Sequence, residues 1–191
     1  MTLQQLITAS RSYRSFDRSA ELSRAQLTAF VECARRAPSS RNLQVLKFRL
    51  VNAPAECAAL LPHTRWAGLL PDLQLPPVGH EPTAYIVICS DLRLAPNPAP
   101  FQRDVGICAQ SILLAATEAG FGGCMIGSFS PDGARDVLKL PEFLLPELIL
   151  ALGKPDETVR LTLPAPDGSV AYYRENGVHM VPKRPLDELI L

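Results

Sequence analysis

The residues best equipped for chemistry lie in three short stretches. Ala37-Pro38-Ser39-Ser40-Arg41-Asn42-Leu43-Gln44 gathers hydroxyl and carboxamide groups that both donate and accept hydrogen bonds. Pro38 stops a preceding helix and fixes the backbone where those groups begin. Such a loop suits a flat heterocycle with several ring nitrogens and carbonyls. It equally suits a polar surface turn, since Pro, Ser and Asn are ordinary turn residues. Upstream, Arg11-Ser12-Tyr13-Arg14 sets two guanidiniums three residues apart with a hydroxyl between them. In a helical or turned segment they can converge on one anion, and guanidinium forks match phosphate oxygens in pairs where a lysine cannot. Two solvated arginines at a helix end are the alternative. Near the other end, Lys183-Arg184 precedes Pro185, which reads as the start of a final helix. A basic pair there opposes the helix dipole unless an anion binds, so this misfit hints at a phosphate site.

Other chemistries find little support. Five cysteines, at 33, 57, 89, 108 and 124, have no metal-ligand spacing with the three histidines, and no metal is expected. Cys124 stands in no recognisable relation to a histidine and reads as a buried structural thiol. Asp104 interrupts an apolar helical stripe without a visible partner and reads as structural, since a catalytic base needs one. No Gly-x-Gly-x-x-Gly follows a strand and opens a helix, which argues against a Rossmann nicotinamide site. Lys+Arg and Asp+Glu are both 19, so nothing steers the chain to nucleic acid or anionic membrane. Hydrophobic residues at 47% and charged residues at 20% indicate a globular chain. Residues 1–10 show no apolar signal segment, and free thiols suit a reducing compartment, so a cytoplasmic location is expected.

The elements that must position these residues follow from periodicity. Thr2-x-x-Gln5 and Ser23-x-x-Gln26 read as capping boxes opening two helices. Leu27, Phe30, Val31 and Ala34 give the second an apolar face that ends at the Pro38 loop. Residues 46–51 and 84–89 read as strands, and 54–61 as a short helix. Pro100 opens the longest helix, to about Ala119, and Gly120 ends it. Gly122-Gly123 would let the backbone close to something flat, with Cys124-Met125-Ile126 strand-like. Ser130-Pro131 opens a helix to Leu140, and 147–152 reads as a strand closed by Gly153-Lys154-Pro155. Residues 156–178 are polar with little periodicity. Residues 62–83, rich in turn formers and holding the only tryptophan, Trp66, read as a cover over a pocket or an arm wrapping a partner subunit. One domain, 1–191, is expected.

Arg11-Ser12-Tyr13-Arg14-Ser15-Phe16 and Ala37-Pro38-Ser39-Ser40-Arg41-Asn42-Leu43-Gln44 together resemble the nitroreductase family of flavin enzymes, with its Arg-Ser-x-Arg segment and Ala-Pro-Ser-x-x-Asn-x-Gln helix end. Gly120-Phe121-Gly122-Gly123-Cys124-Met125-Ile126-Gly127 resembles its Gly-rich segment, and His179 to Leu189 its C-terminal basic segment. Arg65-Trp66-Ala67-Gly68 and Glu81-Pro82-Thr83-Ala84-Tyr85 resemble one uncharacterised branch. The chain departs from that branch at Leu69 and Leu73, where aromatic residues are expected. It departs from the wider family at Val45-Leu46, often Pro-Trp, which bears on substrate more than cofactor.

The resemblance implies an α+β nitroreductase-like fold, a central mostly antiparallel sheet flanked by helices, in an intertwined homodimer binding two FMN. It implies that Arg11, Ser12, Arg14 and Arg184, with Lys183, grip the phosphate. Pro38, Ser39, Ser40, Asn42 and Gln44, from the partner subunit, would meet the ribityl chain and ring. Gly123, Cys124, Met125, Ile126 and Gly127 would offer backbone groups near the ring edge. The implied reaction is hydride transfer from NADH or NADPH through FMN to a small-molecule acceptor such as a nitroaromatic or quinone, with no catalytic side chain, since the cofactor carries the chemistry. The same scaffold would also suit enone reduction, dehydrogenation, dehalogenation, or a non-enzymatic FMN store or sensor.

Overall fold

The computed structural model describes residues 1–191. Its elements in chain order are α1 (Leu3–Ala9), β1 (Phe16–Asp17), α2 (Arg24–Arg35), β2 (Leu46–Val51), α3 (Pro54–Leu60), β3 (Ala84–Asp91), α4 (Gln102–Glu118), β4 (Gly122–Ile126), α5 (Pro131–Leu138), β5 (Leu144–Pro155), β6 (Val159–Thr162), β7 (Tyr173–Glu175) and β8 (Val178–Pro182). Both expected capping boxes form in full, Thr2 with Gln5 and Ser23 with Gln26.

The main sheet is antiparallel throughout. β3 lies between β2 and β5, and the far edge of β5 pairs with β4 and then β1. Every residue of β3 is buried, because both faces of the sheet are covered and a strand so placed reads as a continuous apolar run. Alternation sorts its side chains. Ile86 and Ile88 join Leu150, Leu152 and the apolar faces of α2 and α4. Tyr85, Val87 and Cys89 turn to the other side with Ile149, Ala151, Cys57 of α3 and Leu138 of α5. The result is helices on both sides of one sheet, with α4 the long spine of one layer.

Three expectations are corrected. β5 runs through Pro155 instead of closing at Gly153, since Phe16 and Asp17 pair with Pro155 and Lys154 and extend the ladder. The polar stretch 156–178 holds β6 and β7, which form a second sheet around β8. Its strands are short and half-exposed, so they lack the apolar run of a core strand. The tail beyond Pro185 forms one 3-10 turn, Leu186–Glu188, instead of a helix. Gly122 and Gly123 serve internal packing. A Cβ on Gly122 would lie 2.7 Å from the Tyr13 ring, and one on Gly123 2.9 Å from Leu113. Residues 62–83 carry no strand or α-helix beyond the 3-10 turn ending at His63. No helix is long and apolar enough to cross a membrane.

Candidate functional site

Tyr13 donates its backbone N–H to the Gly123 carbonyl at 3.0 Å, and Ser12 bridges to Gly123 in parallel. The free edge of β4 therefore holds the Arg11–Arg14 segment extended. Beside it opens a cavity of about 360 Å³, lined among others by Arg11, Ser12, Arg14, Met125, Tyr172, His179 and Lys183. Five of the expected site residues thus meet in one place. Met125 reaches it because β4 alternates. Its neighbours Cys124 and Ile126 point into the core, and Met125 alone is exposed, at 37%.

The cavity wall is cationic and under-satisfied. Arg14 is 9% exposed, and its Nε has no partner; neither does the Nε of Arg11. Arg14 Nη1 lies 3.2 Å from the Ser12 carbonyl oxygen and 3.0 Å from His179 Nε2. Arg11 spends one N–H on the Ile7 carbonyl at 2.7 Å. Glu157 is the compensating anion: it accepts from the Arg14 backbone N–H and from the Arg174 guanidinium. Burial, then Arg14, then Arg174 lower the His179 pKa to about 4, so the ring is neutral at pH 7. Two guanidinium residues and a lysine lining one cavity fit an anion with several acceptor oxygens.

The second predicted stretch lies elsewhere. Ser39 and Gln44 border a different cavity, of about 350 Å³, between α2, β2 and Asp104 of α4. Arg41, Asn42 and Gln44 all take positive φ, at 53°, 55° and 50°. Three non-glycine residues in that region mark a strained loop. Asp104 holds it: its carboxylate accepts from the Ser40 backbone N–H at 2.9 Å and the Ser40 hydroxyl at 2.7 Å. Asp104 is structural, as its lack of a catalytic partner suggested. Ser40 is thereby committed inside the chain, Gln44 Nε2 reaches Asn42 at 3.3 Å, and Pro38 lies outside the lining.

The remaining predicted residues divide. Arg184 lies outside the basic cavity and pairs with Glu188 at 3.1 Å on the exposed turn. Cys124 is 5% exposed, and burial pushes its thiol pKa up, which makes it a poor nucleophile. Gly127 follows β4 directly and lines a polar recess with His63 and Arg65, and a Cβ there would meet nothing within 4 Å. Sequence reasoning gave no role to Glu157, Tyr172, Arg174 or His179. The one available signal was His179 itself, an imidazole set among the apolar residues Val178, Met180 and Val181.

The chain is similar to several known proteins. YodC of Bacillus subtilis strain 168, named provisionally as an NAD(P)H nitroreductase, is 24% identical over 176 residues, 78% of this chain and 87% of that protein. A nitroreductase family protein of Streptococcus pneumoniae TIGR4 superposes with TM-score 0.71 at 20% identity, covering 100% of this chain and 99% of its own. A nitroreductase of Exiguobacterium sibiricum 255-15, solved in complex with FMN, gives TM-score 0.70 at 18% identity over 91% of this chain and 98% of its own. At such identities these structures establish the fold. The sequence profile of the nitroreductase family matches residues 7–154, which hold the Arg11–Arg14 segment, the Ser39–Gln44 loop and the main sheet as far as Lys154, and the chain belongs to that family.

Proposed function

We propose that the protein is an FMN-dependent oxidoreductase, a cytoplasmic homodimer that draws on NADH or NADPH and reduces a small-molecule acceptor such as a nitroaromatic or quinone. The observation that carries this reading is the cavity beside β4, which Arg11, Ser12, Arg14 and Lys183 line together. The donor set fits a phosphomonoester: two guanidiniums, the Lys183 ammonium and the Ser12 hydroxyl line one space. Bound FMN would supply the redox chemistry, taking two electrons and a proton from NAD(P)H and delivering them to the acceptor.

In this reading Arg11, Arg14 and Lys183 hold the phosphate and Ser12 adds a hydroxyl. The β4 edge, Gly123 to Gly127, lines the approach to the ring. Ser39, Asn42 and Gln44 act in trans, from the second copy, with Ser40 and Pro38 fixing their loop. The separation of the two cavities within one chain supports a dimer, since one copy does not join them. So do Leu3, Ile7 and Ile107, exposed on α1 and α4. Arg184 joins the clamp only if dimer formation releases it from Glu188. The five free thiols support a reducing compartment.

The test is the visible spectrum of the purified protein, reloaded with FMN if colourless, before and after anaerobic NADH or NADPH. Bleaching supports the reading and names the donor, and turnover over a panel of nitroaromatics, quinones, enones and halogenated substrates then fixes the acceptor. A yellow protein that neither donor bleaches is a flavin store or sensor. A protein that takes up no FMN refutes the proposal.

A further inference from the structure

Residues 155–191 lie beyond the stretch that the family profile matches, yet they wall the basic cavity. β8 buries His179 to 1% exposure and sets its Nε2 3.0 Å from Arg14 Nη1. A guanidinium offers five N–H groups and no lone pair. The contact is therefore a hydrogen bond only if Nε2 accepts, which requires a neutral ring protonated on Nδ1. Tyr172 closes another side, with its ring centroid 5.0 Å from Arg14 Cζ and 5.3 Å from the His179 ring. Glu157 fixes the Arg14 backbone N–H. The side chain is thus held at its root, across its face and at one tip, while its Nε has no partner.

We propose that His179 is a positioning residue: its Nε2 lone pair fixes the Arg14 guanidinium so that the remaining N–H groups meet a phosphate in the cavity. The proposal rests on the FMN reading above. An imidazole suits this task better than a carboxylate would. It accepts one hydrogen bond without cancelling the positive charge that the phosphate needs. Protonated, it could not accept at all; burial beside Arg14 and Arg174 keeps it neutral at pH 7. Arg14 Nη1 also lies 3.2 Å from the Ser12 carbonyl oxygen, so without His179 the guanidinium keeps that single hydrogen bond and is free to turn about it.

The test compares FMN with riboflavin, which lacks the phosphate, by flavin fluorescence titration of the whole protein and of His179→Leu and His179→Gln. Losing one hydrogen bond that orients a charged donor should weaken FMN roughly tenfold to a hundredfold in His179→Leu, with riboflavin affinity held. His179→Gln, whose amide oxygen can accept from Arg14, should recover most of the FMN affinity. Equal losses for both ligands in His179→Leu, unchanged FMN affinity, or a Gln variant as weak as Leu overturns the proposal. ¹⁵N NMR of the wild-type histidines judges it without a variant, should His179→Leu not fold. His179 is expected as the Nδ1–H tautomer, and an Nε2–H tautomer or an imidazolium at pH 7 refutes it. A wild type that binds no FMN overturns the functional reading and this proposal with it. Wild-type FMN binding that His179→Leu leaves unchanged overturns this proposal alone.

Discussion

Gly123 lies within β4 and Gly127 directly after it, and substituting each by alanine separates packing from ligand approach. A Cβ on Gly123 would run into the Ala151 carbonyl oxygen and stand 2.8 Å from Leu152 Cδ2 and 2.9 Å from Leu113 Cδ2. The two leucines can rotate, but the carbonyl belongs to β5. Moving it disturbs the ladder in which Gly123 faces Leu152. Overpacking a well-filled core costs typically about 1–3 kcal/mol, and a backbone obstacle places Gly123→Ala in the upper part, about 2–3 kcal/mol. For a chain of this size each kcal/mol shifts Tm by about 2–4 °C, so the expected drop is about 4–12 °C. The Gly123 carbonyl also receives the Tyr13 N–H at 3.0 Å, so FMN affinity should fall with stability. Gly127 has open space at its Cβ position and no positive φ. Gly127→Ala should stay within about 0.5 kcal/mol of wild type. Any loss of FMN affinity there then reports a ligand in that open space. The assay is thermal unfolding by circular dichroism, without flavin and at saturating FMN. A Gly123→Ala protein that melts within about 2 °C of wild type would refute the packing argument, on the same scale.

Arg14→Ala should weaken FMN about tenfold to a hundredfold, the equivalent of roughly 1.5–3 kcal/mol for one charge-assisted contact, in a fluorescence titration; unchanged affinity removes the arginine from the clamp. Cys124→Ser should leave NAD(P)H oxidation by the FMN-loaded enzyme within about threefold of wild type, because burial keeps the thiol protonated. Near-total loss of turnover in that folded, loaded variant would make Cys124 a reactant. Asp104→Ala strands the Ser40 N–H and hydroxyl, at a cost of about 1–3 kcal/mol in urea unfolding. Proteolysis should then cut first within 38–44, and unchanged stability and cleavage would show that the loop holds itself. Stability should also fall on the acid side. The folded His179 pKa of about 4 lies below its ordinary 6.5, so the unfolded chain binds the extra proton between those values. His179 thus contributes stability that is full above about pH 6.5 and is lost as pH falls towards 4. Urea midpoints measured across that window should decline less steeply in His179→Gln, and parallel slopes would refute this.

The halves of the site differ in how far they were legible, for a physical reason. Arg11, Ser12, Arg14 and the Ser39–Gln44 loop are dense local clusters of functional groups, and a turn or extended segment presents such a cluster whatever the rest of the chain does. The capping boxes and β3 were legible for the same reason, since their signals repeat within one element. What Gly123 does is set by Leu113, Leu152 and the Ala151 carbonyl, none of them near it in sequence. The sequence therefore supported a glycine opened towards a ligand as readily as one closed on its own sheet. Arg184 shows the converse. Its adjacency to Lys183 suggested a shared anion, but Lys183 lines the cavity while Arg184 lies outside it, and Glu188 four residues on offers a partner. The second sheet was the least legible part. β6, β7 and β8 gain order from pairing with one another and from the Glu157, Arg174 and His179 contacts beneath them. Those contacts join Arg14 to residues 143 and 165 positions away. A histidine in an apolar strand carries no mark of the arginine it will meet, so the partner that sets its tautomer and its charge becomes visible only when the chain has folded.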